Sequence, residues 1–155
     1  PSIGRARAGS SAEATFRAIS AARTRAIAER RNIYLTLEAP NRIRLERQEI
    51  NDLGQVVGLT EVANSILEGG QEFIQFSGQG DTADLFGASS PINYGGPTPV
   101  MFTTDGSLVD SAGDVVNASI FVGVPDQPIT ARAVTILGVS GLMRTWKWDG
   151  GKWVD

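Results

Sequence analysis

Along the first third of the chain, apolar residues recur at steps of three and four. Ala12, Phe16, Ile19, Ala22, Ala26 and Ile27 line one side of the segment 11–31, while Arg17, Arg23, Arg25, Glu29 and Arg31 fall mostly off that stripe. This is the pattern of a long amphipathic helix with one buried face, and Phe16, Ile19 and Ile27 are its expected core residues. The start has two readings. Ser10 and Glu13 have the spacing of a capping box, and the alanine-rich run through Arg5 and Arg7 equally allows an upstream start, with Pro1 tolerated in a first turn.

After Asn32 the period falls from 3.6 to 2. Ile33, Leu35 and Leu37 alternate with Tyr34 and Thr36, Pro40-Asn41 supplies a turn, and Ile43 and Leu45 alternate with Arg42, Arg44 and Glu46. A hairpin laid against the helix is predicted. Further strands are expected over 55–62, 72–76, 100–103, 107–110, 115–124, 132–139 and 142–148, each bounded by Gly, Pro, Asn or Asp. One helix followed by many strands gives an α+β fold, a long N-terminal amphipathic helix (1–32) on one or more antiparallel sheets (33–155), in a single domain over 1–155. Residues 77–99 are rich in Gly, Ser, Pro, Asp and Asn, and so long a stretch without regular structure is expected to be a functional or mobile loop.

Composition narrows the chemistry. The 155 residues are 41% hydrophobic and 20% charged, enough apolar content to close one core without cross-links, and no run approaches a membrane span. With neither cysteine nor histidine, disulfides, thiolate or imidazole zinc sites, Ser-His-Asp triads and cysteine nucleophiles are excluded. The remaining carboxylates are scattered, and no pair suits acid–base catalysis; no enzyme, cofactor or metal is expected.

The net charge of −3 conceals an asymmetry. Residues 1–47 carry ten arginines against four acids, whereas 48–155 carry Arg132, Arg144, Lys147 and Lys152 against thirteen acids. Two readings follow: contacts between copies or a basic face toward anionic lipid or nucleic acid, and a merely solvated helix face beside an acidic surface.

Three local patterns were weighed for binding chemistry. Asp105, Ser107, Asp110 and Asp114 could offer oxygens to calcium, but their spacing departs from the EF-hand loop and Asp105-Gly106 reads first as a hairpin turn. The glycines at 78, 80, 95 and 96 lack the strand and helix that a phosphate-binding loop requires. The carboxy-terminal run places Arg144, Trp146, Lys147, Trp148, Lys152 and Trp153 within ten residues, with Trp146 and Trp148 on one strand face and Lys147 on the other, and Trp153 returning to pair across. Such a cluster either stacks a single-stranded nucleic acid or seals the end of a β-domain.

The order of these pieces resembles the soluble part of type IV pilin-like proteins of the GspH/FimT class. The likeness rests on the leading Pro-Ser, the helix ending Ala28-Glu29-Arg30-Arg31-Asn32, the strand Ile33-Tyr34-Leu35-Thr36-Leu37, Phe102-x-x-Asp105-Gly106, Ala133-Val134-Thr135-Ile136 and Gly141-Leu142-Met143-Arg144. The resemblance implies a leader and an apolar membrane helix preceding Pro1, so that the domain is anchored in the inner membrane and faces the periplasm or an extracellular filament. It implies a structural subunit of a type II secretion pseudopilus or type IV pilus, with other pilins, an inner-membrane assembly platform and a secreted protein or DNA as partners. On that reading Arg17, Arg23, Arg25 and Arg31 face neighbours or lipid. The alternative it carries is a DNA-binding minor pilin using Arg144, Lys147, Lys152, Trp146 and Trp148. The family's late Gly-Arg-x-Arg motif has Leu142 in place of its first arginine here, which weakens that alternative.

Overall fold

A computed structural model describes residues 2–155, with side chains from Glu13 onward. Helix α1 (Ser2–Glu29) is followed by strands β1 (Ile33–Glu38), β2 (Arg42–Ile50), β3 (Val56–Ile66), β4 (Glu72–Phe73), β5 (Ile92–Asn93), β6 (Val100–Phe102), β7 (Leu108–Val109), β8 (Ala118–Val124), β9 (Gln127–Leu137), β10 (Leu142–Trp148) and β11 (Trp153–Val154). They form two antiparallel sheets, of order β3-β2-β1-β6-β7 (sheet A) and β11-β10-β9-β8-β4 (sheet B), with β5 also paired to β8. The α+β architecture is as expected. Helix α1 spans 28 residues, of which the 17 from Glu13 to Glu29 are described with side chains; the side chains of Arg5, Arg7, Ser10 and Ala12 lie outside that part, and Pro1 lies outside the described residues.

The helix closes on both sheets because its inward residues are small. Ile19, Ala22 and Ala26 are fully buried among Ile33, Leu35 and Phe102 of sheet A and Ile120, Val134 and Ile136 of sheet B. Two alanines let the helix approach closely, a geometry in which one larger side chain would hold the layers apart. Phe16 is partly buried against this core. Ile27, expected inside, is 41% exposed; the inward line runs through Ala22 and Ala26, and Ile27 sits one position round, against Gly106. The helix ends at Arg30, which takes a left-handed conformation (φ 54°) while the Arg31 N–H reaches the Ala26 carbonyl at 3.3 Å.

Sheet B is covered on both faces. Strands β8 and β9 turn Ala118, Ile120, Val122, Val134 and Ile136 toward the helix, and Ser119, Phe121, Ala131, Ala133 and Thr135 the other way. That second face holds its own core of Phe121, Ala131, Ala133, Trp146 and Trp153, against which Phe76, Ala88 and Trp148 pack. Its cover is the segment 77–99, so the loop expected to be functional or mobile is a strap fastened to the sheet. The Phe121 N–H donates to the Pro91 carbonyl (2.8 Å), Gln79 Nε2 to Pro128 O (3.0 Å), Trp153 Nε1 to Gly80 O (3.2 Å) and Ser119 Oγ to Gly87 O. Each bond anchors backbone that a free loop would leave to water.

Phe121 is 1% exposed and Leu53, at the β2–β3 turn, is 82% exposed. Phe121→Ala is therefore expected to cost about 3–5 kcal/mol and Leu53→Ala no more than about 0.5 kcal/mol, as measured by the midpoint of urea unfolding.

Candidate assembly surfaces

Two regions carry the residues singled out from the sequence: the helix cations and the carboxy-terminal tryptophan cluster. The four helix arginines fall into different environments. Arg17 is exposed and borders, with Glu13, Phe16 and Thr145, a groove of about 280 Å³ between α1 and β10. Arg25 pairs with Glu29 one turn on, at 3.0 Å. Glu29 in turn takes Arg47 Nη1 at 2.7 Å, and Arg47 Nη2 meets Glu49 at 3.0 Å, so a chain of alternating charge ties the helix end to sheet A. Arg31 is half-buried, donates to its neighbour's carbonyl, and adds its positive field at Glu49.

Arg23 is part-buried at the margin of the core. Its Nε donates to the Ser140 carbonyl at 3.1 Å, and the guanidinium lies over two glycines. A Cβ at Gly106 would stand 3.0 Å from Arg23 Nε, and one at Gly141 would stand 2.5 Å from it and 2.1 Å from the Gly106 carbonyl; both glycines have positive φ (88° and 73°). Both glycines thus meet a positive φ and the space taken by the arginine that clips α1 to the β9–β10 turn, and at Gly141 the Gly106 carbonyl stands closer still.

The carboxy-terminal cluster divides as the alternation predicts. Trp148 pairs with Trp153 and Lys147 with Val154 across β10 and β11. Trp146 is buried and its Nε1 donates to Thr135 Oγ1 (2.9 Å); Phe121 and Trp153 stand 5.5 Å apart, and Trp148 meets Trp153 edge-on at 5.4 Å. The rings pack mainly on one another. Arg144 lies 5.3 Å over the Trp146 ring, bonds Asp84 at 3.2 Å and approaches Asp155 at 3.9 Å. Asp84 also accepts from Thr135 Oγ1 at 2.6 Å, so Arg144 helps hold the strap down. Lys147 and Lys152 are exposed.

The acidic turns separate. Asp105 accepts from the Ser107 N–H (3.1 Å), the Ser107 hydroxyl (2.8 Å) and the Thr103 hydroxyl, and these donors, Thr103 first, hold its carboxyl down to about 2. Asp110 caps its own turn through the N–H groups of Ala112 (2.9 Å) and Asp114 (3.0 Å). Among the described residues no three metal-binding side chains come together.

Sequence reading missed Arg47, Glu29 and Asp84 as organising groups. Arg47 carried a signal: strict alternation sets it on the same face as Ile43 and Leu45, where a charge needs a partner. Asp84, inside an irregular segment, carried none.

Comparison with known proteins adds a likeness in structure. No family model matches the chain, and no curated protein matches it in sequence. Among solved structures, the minor pseudopilin EpsH from the type 2 secretion system of Vibrio cholerae is similar over 91% of this chain and 97% of its own, with a TM-score of 0.59 and 12% identity. The fold is that of a minor pseudopilin. At that identity the likeness concerns the path of the backbone, and the Arg23 clip and the Asp84 strap bond are described from this chain alone.

Two predictions separate scaffold from surface. Arg23→Ala is expected to lower stability by about 1–3 kcal/mol, because it leaves a carbonyl without its donor and empties the space over two glycines, whereas Arg17→Ala stays within about 0.5 kcal/mol; paired chemical denaturation curves measure both. The hydrogen bond from Arg47, and then that from Thr60, hold the Glu49 carboxyl down to about 2, below its usual 4.5. A depressed carboxylate contributes stability above the unfolded value that is lost as pH falls through the folded one. Unfolding scans from pH 5 to pH 2 are expected to show a downward limb that is shallower in Arg47→Met.

Proposed function

We propose that this chain is a structural subunit of a type II secretion pseudopilus, of the minor class. The observation that supports it is the pseudopilin likeness over nearly the whole length of both chains. On this reading the domain sits on the periplasmic side of the inner membrane, joined to it through an apolar continuation of α1, and its partners are other pilin-like subunits, the assembly platform and the exoprotein. Among the described residues no helix is long and apolar enough to cross a membrane.

The subunit needs no chemistry of its own, only surfaces. Arg17 is the leading contact: it is exposed on α1 beside an open groove and makes none of the bonds that occupy Arg23 and Arg25. Arg31 extends that face toward the helix end. The rival use of Arg144, Lys147 and Lys152 on DNA has less in its favour, since Arg144 is already engaged by Asp84 and Asp155 and lies over Trp146.

Deleting the gene in its host and restoring it with Arg17→Glu tests the reading. Secreted enzyme is expected to fall by about tenfold, the effect of roughly 1.4 kcal/mol lost at an interface, with the melting temperature of the purified domain unchanged. Normal secretion by the deletion strain itself would overturn the assignment. A salt-dependent affinity for duplex DNA that Lys147→Ala abolishes would favour the nucleic-acid role instead.

A further inference from the structure

The two sheets end very differently. Among the described residues, sheet B ends at β11 and at β4 and β5, and sheet A ends on one side at β7, all strands of two residues; in sheet B they leave uncovered the stretch Leu142–Trp146 of β10, beyond its pairing with β11. The other side of sheet A ends at β3, which is 11 residues long. Short edges limit the addition of foreign strands, and long ones invite it. β3 contains no lysine and no proline, and its one ionisable residue is Glu61.

The edge also projects. Pairing of β2 with β1 stops at Arg47 opposite Ile33, but β2 and β3 stay paired out to Ile50 opposite Val56. The turn beyond is fixed: Asn51 Oδ1 accepts from the N–H groups of Leu53 and Gln55 at 3.0 Å each, and the Gly54 N–H reaches the Asn51 carbonyl at 2.9 Å. This arm holds Leu53, Val56, Val57 and Leu59 out to solvent, each more than half exposed. Four large apolar side chains along one edge make a patch of the kind that marks an interaction site.

Charge selects the occupant. Residues 48–68 contain four acids and no cation. Arg47 is shared between Glu49 and Glu29, and Arg44 among Glu61, Glu38 and Glu46, so the strand keeps a negative surplus at Glu61, with Asp52 and Glu68, both exposed, at its two ends. A second copy fits poorly in the long antiparallel registers. Centred on Glu61, the pairing sets Glu61 opposite its own copy; centred on Thr60, it brings Asp52 beside the copy's Glu68 at both ends. Like charges facing across strands are destabilising. We propose that β3 receives, as an added antiparallel strand, an extended segment of a different polypeptide that is apolar in its middle and basic at its ends. Backbone hydrogen bonds supply the affinity, and the end charges and the Val56–Leu59 side chains supply the selection. This deepens the subunit reading by naming the chemistry of a neighbour. It is measured on the isolated chain, so its failure leaves the secretion result untouched.

The probe is a capped synthetic peptide of about eight residues alternating valine and threonine with lysine at both ends. Two comparators carry glutamate at the ends or proline in the middle. Titrated into the isotope-labelled 155-residue chain, the lysine peptide is expected to shift and slow the exchange of amides confined to Val56–Ile66. The glutamate peptide should bind about tenfold more weakly, the proline peptide should not bind, and Leu59→Lys should abolish the lysine peptide's effect. If Leu59→Lys proves misfolded, the proline peptide against the unaltered chain decides the question. Absence of binding, perturbation centred elsewhere, or indifference to end charge overturns the proposal. So does concentration-dependent protection of β3 by the chain alone, which would assign the edge to a second copy.

Discussion

One short helical face holds two sheets together. Ile19, Ala22 and Ala26 are each fully buried, and the two alanines set the closeness of helix and strands. Hydrophobic contact of this kind is strong but undirected, so it leaves the helix free to slide or rotate over the sheets. Direction comes from two arginine contacts at the margins: Arg23 on the Ser140 carbonyl, and Arg47 on Glu29. The first ties α1 to sheet B and the second ties it to sheet A. Each is part-buried, where bonds to charged groups count for more than they do on an open surface.

That division changes the meaning of the basic first third. Ten arginines in 47 residues suggest a face made for anionic partners. In the folded chain Arg23 clips the helix, Arg25 and Arg47 share Glu29, and Arg44 contacts Glu38, Glu46 and Glu61. Arg25, Arg44 and Arg47 are thus matched by carboxylates inside the domain, and Arg23 is held by a backbone carbonyl, so much of what reads as a basic face in the sequence ties the fold together. Local charge chooses partners, and apolar area then holds them.

The legible parts of the sequence were those governed by period and spacing. The helix, the β1–β2 hairpin and β10 could be read because one face of each is apolar and the other is not, and the Asp149-Gly150-Gly151 turn brings Trp153 back to pair across β10, where its partner is Trp148. The strap over residues 77–99 was illegible for a matching reason. It has no period, and its fixity comes from single bonds to distant groups, such as Asp84 to Thr135 and Gln79 to Pro128. Ile27 was misplaced because the helical stripe was drawn by hydrophobicity, whereas packing chose the smaller Ala26 for the inward position. Gly141 belonged to the quoted resemblance, but Arg23, which takes the space beside it, lies more than a hundred residues away, and no local pattern could supply it.

The strap and the arm set up a contrast that bears on function. Sheet B has both faces covered and ends in strands of two residues, although β11 pairs only with Lys147 and Trp148 of β10. Sheet A is satisfied where the helix lies on it and open along β3. A domain that leaves an 11-residue edge unpaired, with four exposed apolar side chains beside it, is unbalanced as an isolated solute, since such an edge favours association. It is balanced as one member of an assembly in which the edge is covered. The same reasoning explains why Leu53 is held by a rigid Asn51 turn rather than by a flexible tip: a contact presented in a fixed conformation loses less entropy when its partner arrives.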